Sequence, residues 1–354
     1  MPDFAVIKKK ISPYNKKIFI DGDKSISIRW ALLASQAIGK SVASNLPNSE
    51  DINSTIDCLK RLGIKIIKKN NVCEIFGNGL NGFNYKKNIT INAGNSGTCG
   101  RLILGLLVAS KKKIKLEGDK SLSSRDFSRV TAPLERFGAK FFPLNRKNLP
   151  ISILGSNFTR PINYLENIGS AQCKSSIMLA ALNTPGKTLI KAKKSRNHTE
   201  LLFKNLKIPI KIKKTKNFDY IKLKGIKKVN NLNYKIPGDI SSCSFFIVLT
   251  ILANKSKLLI KNININESRI GVIHILRKMG ASIKIMNKKN YKGENIGDIL
   301  VKSSSNLKAI NCPKYYNSSA IDEFLIIFLV AAKAKGISYF KNLAELNQKE
   351  SPRL

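Results

Sequence analysis

The sequence is poor in the residues that bind metals, cross membranes or lock a fold covalently. It holds two histidines in 354 residues, and its six cysteines (Cys58, Cys73, Cys99, Cys173, Cys243, Cys312) are scattered, with no C-x-x-C pair and no histidine at ligand spacing. That pattern predicts reduced, structural thiols and no metal centre. No apolar run approaches the roughly 18 to 20 residues that a bilayer span requires, and the opening MPDFAVIKKKISPYNKK lacks an apolar segment followed by a cleavage site. The expected location is therefore the cytoplasm, with no membrane partner. Acidic residues are scarce as well, with 22 Asp and Glu against 63 Lys and Arg and a net charge of +41. Such a balance attracts polyanions. The excess, however, is lysine spread along the whole chain, and the clusters Lys8 to Lys10 and Lys111 to Lys113 carry no interleaved aromatics on which bases could stack. No specific nucleic-acid partner is expected, only weak non-specific attraction.

What is present is a soluble globular balance, 43% hydrophobic and 24% charged. The length exceeds the roughly 250 to 300 residues at which single cores stop growing, so two lobes are expected. An internal repeat organises them. Segments that open with a small polar cluster, run into an apolar helical stretch and end in a short β-rich piece begin at Gly22, Gly94, Gly169, Gly238 and Ser318. Their spacing of roughly seventy residues suits a small α/β unit rather than a solenoid. A second helix follows each of the first four. Ile52, Ile56, Leu59 and Leu62 share one helical face, with Ser49 as N-cap and Gly63 as the stop. The plan returns in Phe127, Val130, Leu134 and Phe137 before Gly138, in Ile270, Ile273, Leu276 and Met279 before Gly280, and in degenerate form in HTELLFKNLKIPIKI. Each unit reads strand, helix, strand, helix, strand, with room for one more strand. After the fifth opening helix and the strand ISYF, the chain reaches AELNQKESPRL, where a second helix is due. The half unit predicts continuation and a sixth copy, about eighty residues in all.

The cations Lys24, Arg29, Arg101 and Lys174 fall in the first turns of the apolar helices, among Ser, Thr, Gly and Asn. A helix start is partially positive, so a cation there is unfavourable by a few tenths to about 1 kcal/mol unless an anion compensates it. Free N–H groups at helix starts bind phosphate and carboxylate, and Gly and Ser permit close approach. Each cluster alone reads equally as an ordinary Ser or Asp N-cap. Repeated in register, they point to a pocket for a multiply charged small molecule.

These motifs resemble those of the 5-enolpyruvylshikimate-3-phosphate synthase family. DKSISIR is similar to its G-S-K-S-x-S-x-R, NSGTCGRL to its N-[AS]-G-T-x-x-R, and SLSSRDFSRVTAPLERFGA to its S-L-x-x-R-P-M stretch; SAQCKSSIMLAAL, SRNHTE, IPGDISSCSFF and AELNQKESPRL match further segments in order. The resemblance implies an α/β fold of two inside-out lobes, each of three βαβαββ units, with five of the six units here and the fifth partial. It places the first lobe at 22–235, the shikimate 3-phosphate side, and the second at 1–21 with 236–354, with substrates held between lobes that close on them. It implies transfer of the enolpyruvyl group from phosphoenolpyruvate to the 5-hydroxyl of shikimate 3-phosphate, by a monomer without cofactor.

By the same resemblance Lys24 meets the phosphoenolpyruvate side, Ser25 and Arg29 hold shikimate 3-phosphate, and Gly97 and Thr98 lie near the phosphoenolpyruvate phosphate. Arg125 pairs with charged substrate groups, where a planar guanidinium binds two oxygens at once. Ser170, Gln172 and Ser195 take the shikimate phosphate and hydroxyls, and Lys174 matches a position that is basic in many members. Asp322 faces the 5-hydroxyl as base, Glu350 serves as acid and base at the methylene carbon, Lys24 competes for either transfer, and Lys349 and Arg353 bind; Glu323 is read as a structural neighbour. Pro352 departs from the family's K-E-[ST]-D-R run and removes a backbone donor. A later G-D-H-R segment and lysine have no counterpart, so the chain as it stands is expected to be inactive alone. Two rival readings are the sister transferase acting on UDP-N-acetylglucosamine and an inactive homologue or basic anion-binding protein. The first is disfavoured by its Lys-Asn opening motif and by the lack of a counterpart to its reactive loop cysteine.

Overall fold

The computed structural model describes residue 6 and residues 9–348. In chain order, β1 (Asn15–Phe19) precedes α1 (Lys24–Ser35), β2 (Ile38–Ser44), α2 (Glu50–Arg61), β3 (Lys65–Lys69) and β4 (Val72–Asn78). Next come β5 (Ile89–Asn92), α3 (Gly97–Leu106), β6 (Ile114–Glu117), the single turn α4 (Lys120–Ser123), α5 (Ser128–Arg136), β7 (Lys140–Phe142) and β8 (Ile151–Leu154). A third series holds β9 (Asn163–Glu166), α6 (Ala171–Leu182), β10 (Lys187–Lys193), α7 (His198–Asn205), β11 (Ile210–Lys214) and β12 (Phe218–Lys224). The fourth is β13 (Tyr234–Lys235), α8 (Ile240–Leu252), β14 (Lys257–Asn264), α9 (Gly271–Lys278), β15 (Ser282–Tyr291) and β16 (Glu294–Lys302), followed by a 3-10 turn (Lys314–Ser319), α10 (Phe324–Ala331) and a last 3-10 turn (Ala344–Gln348).

Two helix types alternate, for different reasons. The second helices α2, α5 and α9 bury one stripe: Ile52, Ile56, Leu59 and Leu62 are inside, as are the matching residues of the other two. Glu50 and Asp51 in the first turn of α2 and Lys60 and Arg61 in its last complement the helix dipole. Gly63, Gly138 and Gly280 then turn the chain at φ of 85°, 108° and 92°. The degenerate third copy places Lys207 at the same point with φ 56°, a left-handed conformation that costs an L-residue about 1 to 2 kcal/mol. The first helices of the larger unit, α1, α3 and α6, are buried nearly all round, with Ile26 to Ser35 of α1 inside and the Trp30 Nε1–H donating to the Leu232 carbonyl at 2.8 Å; α8 and α10 instead leave Phe245, Phe246, Leu249, Leu325 and Leu329 exposed.

Among the described residues, four four-stranded sheets share one strand order: β13-β2-β4-β3, β5-β6-β8-β7, β9-β10-β12-β11 and β1-β14-β16-β15. In each, the first two strands are parallel and the remaining neighbours antiparallel. The expected βαβαββ plan is thus present four times, with the additional strand in place. The leading strand of the first sheet is not its neighbour in sequence, since β13 pairs Tyr234 and Lys235 with Ala43 and Ser44, while β1 leads the fourth sheet through pairs from Asn15–Lys257 to Phe19–Lys261. The fifth segment differs from expectation. Where ISYF was expected to form a strand, single bridges join Lys308 to Lys335 and Asn311 to Tyr339. Pro313, which has no N–H, stands two residues beyond Asn311 and ends the partner segment.

The chain forms two compact units. The larger holds Asp21–Asp239, Asn290–Asn295 and 344–348; the smaller holds 9–20, Ile240–Lys289 and Ile296–Leu343. No helix among the described residues is long and apolar enough to cross a membrane.

Candidate functional site

Within the larger unit α3 packs on α6 and on α1, α7 lies beside α1, and a hydrogen bond from Arg29 to Ser175 links α1 to α6; the starts of these helices carry polar side chains. Asp23, Ser96 and Ser170 cap them, accepting from the N–H groups of Ile26 (2.9 Å), Cys99 (3.2 Å) and Cys173 (3.2 Å). Ser170 uses a lone pair for this, which leaves its O–H able to donate to an anion. The turn before it is fixed by buried Glu166, whose carboxylate accepts from the N–H groups of Ile168, Gly169 and Ser170 at 3.1, 3.0 and 3.0 Å.

Arg29 is buried on α1. Its Nε donates to Thr199 Oγ1 at 2.9 Å, its Nη2 to Ser175 Oγ at 3.2 Å, and its Nη1 to the Ser25 carbonyl at 3.0 Å. Ser25 is half-buried on the same turn. Lys24 opens α1, with its N–H on Asp239 Oδ2 at 3.1 Å and its Nζ 3.2 Å from Asp51 Oδ2. That pair is partly exposed, 41% and 23%, so screening by solvent makes it weak and readily exchanged for another anion.

Between α3 and α6, Gln172 bridges both ways: its Oε1 accepts from Arg101 Nη1 at 2.5 Å and its Nε2 donates to Thr98 Oγ1 at 3.0 Å. Arg125 lies over the start of α3, donating from Nη2 to Asn95 Oδ1 at 2.8 Å and Ser121 Oγ at 3.3 Å. Gly97 makes room for it, since a Cβ there would lie 3.0 Å from Arg125 Nη1. Burial, together with the Arg125 and Arg129 guanidiniums, pushes Arg101 down to about 10. Positive charge is thus concentrated where three cations crowd together, an arrangement suited to an anionic ligand.

Lys174 behaves otherwise. Its place in the first turns of α6 predicts an anionic ligand for it, but Lys174 Nζ lies 2.6 Å from Glu200 Oε1 with the two side chains 0% and 3% exposed. Its compensating anion is internal. Ser195 sits in the loop before α7, and its Oγ is buried without a hydrogen-bond partner among the described residues. In the smaller unit Asp322 is half-buried in the turn before α10. Its neighbour Glu323 is buried and accepts from Ser241 Oγ at the start of α8, which in turn accepts from Arg269 Nη2 at 2.7 Å. Lys349, Glu350 and Arg353 lie outside the described residues.

The structure therefore brings Ser25, Arg29, Gly97, Thr98, Arg125, Ser170 and Gln172 onto neighbouring helix starts of one unit. Sequence reasoning missed Asp51, Glu166, Ser175, Thr199 and Glu200. For the last two there was a signal: counted back from the left-handed residue that ends each helix, Thr199 matches Val130 and Val272 and Glu200 matches Ile56 and Ile273, all of them buried, and both polar residues are buried too. A concavity of about 620 Å³ lined by Leu165, Leu189 and Tyr220 among others lies on the β9–β12 sheet and includes none of the helix-start residues.

Comparison with known proteins adds an independent line. The family model described as EPSP synthase (3-phosphoshikimate 1-carboxyvinyltransferase) matches residues 8–354. The 3-phosphoshikimate 1-carboxyvinyltransferase of Petrotoga mobilis is 40% identical over 347 residues, 96% of this chain and 78% of that protein. That of Alkaliphilus oremlandii is 37% identical over 355 residues, 99% and 81% of the two chains. A solved structure of EPSP synthase from Acinetobacter baumannii superposes with a TM-score of 0.85 at 34% identity, covering 96% of this chain and 76% of that one.

Proposed function

The chain belongs to the EPSP synthase family, and on that premise we propose that it transfers the enolpyruvyl group of phosphoenolpyruvate to the 5-hydroxyl of shikimate 3-phosphate and releases phosphate, a step towards chorismate and the aromatic amino acids. The observation that carries the reading is the packing together of the α1, α3 and α6 starts with Arg29, Arg101 and Arg125 among hydroxyl and amide groups. Such a surface suits reactants that bring a phosphate and carboxylates. Its preset donors stabilise charge without metal, and the reading includes no cofactor.

The 5-hydroxyl oxygen adds to C2 of phosphoenolpyruvate as C3 takes a proton. The tetrahedral intermediate then expels phosphate as C3 returns that proton. Asp322 is assigned as the base for the hydroxyl, Glu350 as the acid and base at C3, and Lys24 as the alternative for either transfer. Ser25, Arg29, Ser170, Gln172 and Ser195 are assigned to shikimate 3-phosphate; Gly97, Thr98, Arg125, Lys349 and Arg353 to phosphoenolpyruvate and its charged groups. The lobes are assigned as 22–235 and as 1–21 with 236–354, and the protein as a cytoplasmic monomer with no membrane or specific nucleic-acid partner.

Ligand-linked stabilisation tests this. Shikimate 3-phosphate at 100 times its Kd should add about 2.7 kcal/mol, a rise in melting temperature of about 5 to 10 °C. Stabilisation by UDP-N-acetylglucosamine instead would transfer the reading to the sister activity. Indifference to both, with RNA binding that falls steeply with salt, would leave a polyanion-binding protein.

A further inference from the structure

We propose that Thr199, acting with Ser175, is a positioning residue for Arg29: the two buried hydroxyls grip one edge of the guanidinium as a carboxylate would, without bringing a negative charge to it. The proposal rests on the reading that Arg29 meets shikimate 3-phosphate. Nε and Nη2 form one edge of the planar fork, and that edge ordinarily takes the two oxygens of a carboxylate. Here it takes Thr199 Oγ1 at 2.9 Å and Ser175 Oγ at 3.2 Å, and those oxygens are 2.7 Å from each other. Both hydroxyl side chains are 1% exposed and Arg29 is 4% exposed, so water does not compete for the edge.

The neighbouring residue supplies the contrast. Glu200 is a carboxylate one position further along α7, and it is committed to Lys174. A carboxylate at position 199 would hold Arg29 just as firmly while cancelling the charge needed for an anionic substrate; a hydroxyl fixes the plane and preserves the charge. Thr199 is itself well placed to do this. It is β-branched and so stiff about χ1, and the turn is anchored by His198, whose Nδ1 lies 2.6 Å from Glu294 Oε1 with both side chains fully buried. The Nη1 bond to the Ser25 carbonyl ties another guanidinium nitrogen to α1.

Calorimetric titration of the full chain with shikimate 3-phosphate tests the proposal. Thr199→Val should weaken binding about tenfold to a hundredfold, the range for a bond to a charged group, and Thr199→Ser should stay within about threefold of wild type. In an Arg29→Lys background, where a point charge has no edge to grip, Thr199→Val should add less than about twofold. Wild-type affinity in Thr199→Val, or a loss that persists undiminished beside Arg29→Lys, overturns the proposal. If Thr199→Val does not fold, Ser175→Ala removes the other oxygen, and wild-type affinity there is equally fatal. A readout without substrate runs alongside: the ¹⁵N Nε–H signal of Arg29 should exchange slowly in wild type and Thr199→Ser and rapidly in Thr199→Val, and an unchanged signal overturns the proposal. Arg29→Ala separates the two levels. Undiminished affinity in that variant removes the substrate assignment, whereas lost affinity there with wild-type affinity in Thr199→Val removes only the positioning role.

Discussion

Replacing Glu200 by Gln should destabilise the larger unit severely, and replacing Glu200 and Lys174 together by Leu and Met should not. The Nζ–Oε1 contact of 2.6 Å joins two side chains that are 3% and 0% exposed, and Glu200 Oε2 has no hydrogen-bond partner among the described residues. Each charge has therefore lost most of its hydration in exchange for one contact. In such a setting the desolvation penalty roughly cancels the attraction, so the intact pair adds little. Gln keeps the shape but leaves the ammonium uncompensated in the core, a loss of about 3 to 5 kcal/mol. A unit of this size loses about 2 to 4 °C per kcal/mol, so the expected fall in melting temperature is about 6 to 20 °C. The double variant is expected within about 1 kcal/mol of wild type, or above it. Reversible urea unfolding followed by circular dichroism gives both differences as shifts in midpoint at constant slope. A Glu200→Gln midpoint equal to that of the double variant would show that the two charges are not mutually dependent and would refute the reasoning.

Lys24→Ala should lower turnover by about a hundredfold to ten-thousandfold if Lys24 moves a proton, while the partly exposed Asp51 pair accounts for no more than about 1 kcal/mol of stability; near wild-type turnover removes the assignment. Asp298 is buried, which opposes its ionisation, but hydrogen bonds from Lys261, Asn287 and the Asn262 N–H prevail and hold its carboxyl below the ordinary value. Its contribution is therefore present above the ordinary carboxylate value of about 3.9 and lost as pH falls through the lower folded value, so the stability gap between wild type and Asp298→Asn should narrow from about pH 5 downwards; a gap that widens on acidification contradicts this. All six cysteines are buried, Cys73 is pushed up to about 11 by burial, and Cys173 up to about 12 by burial and Glu166. A thiol reagent at about pH 8 should label none of them until denaturant is added, since the thiolate is the reactive form; rapid labelling of the folded chain would show an opened core.

The repeat was legible because its signals are local. A helix with Ile52, Ile56, Leu59 and Leu62 on one side and Gly63 after it announces its face and its end within a dozen residues. The helix-start clusters were legible for the same reason, since capping couples residues three apart. The partners of Arg29 were not. Ser175 and Thr199 lie on the third repeat rather than the first, and a lone Ser or Thr in a helix has the same appearance whether it caps, faces solvent or holds a guanidinium. Lys174 misled for the complementary reason, because its counter-ion sits on a different helix, α7. The two-residue strand β13 has no periodicity to reveal it, and its pairing with β2 depends on a contact nearly two hundred residues away in sequence.

The exchange of leading strands has a temporal side. Strand β1 is made well before its parallel neighbour β14, which begins at Lys257, and the first sheet completes its edge only when Tyr234 and Lys235 arrive. At about 5 to 20 residues per second, β1 leaves the ribosome roughly 12 to 50 s before its partner. During that interval its unpaired amides are open to foreign strands, and the lysines of NKKIF, Lys16 and Lys17, keep this waiting edge soluble.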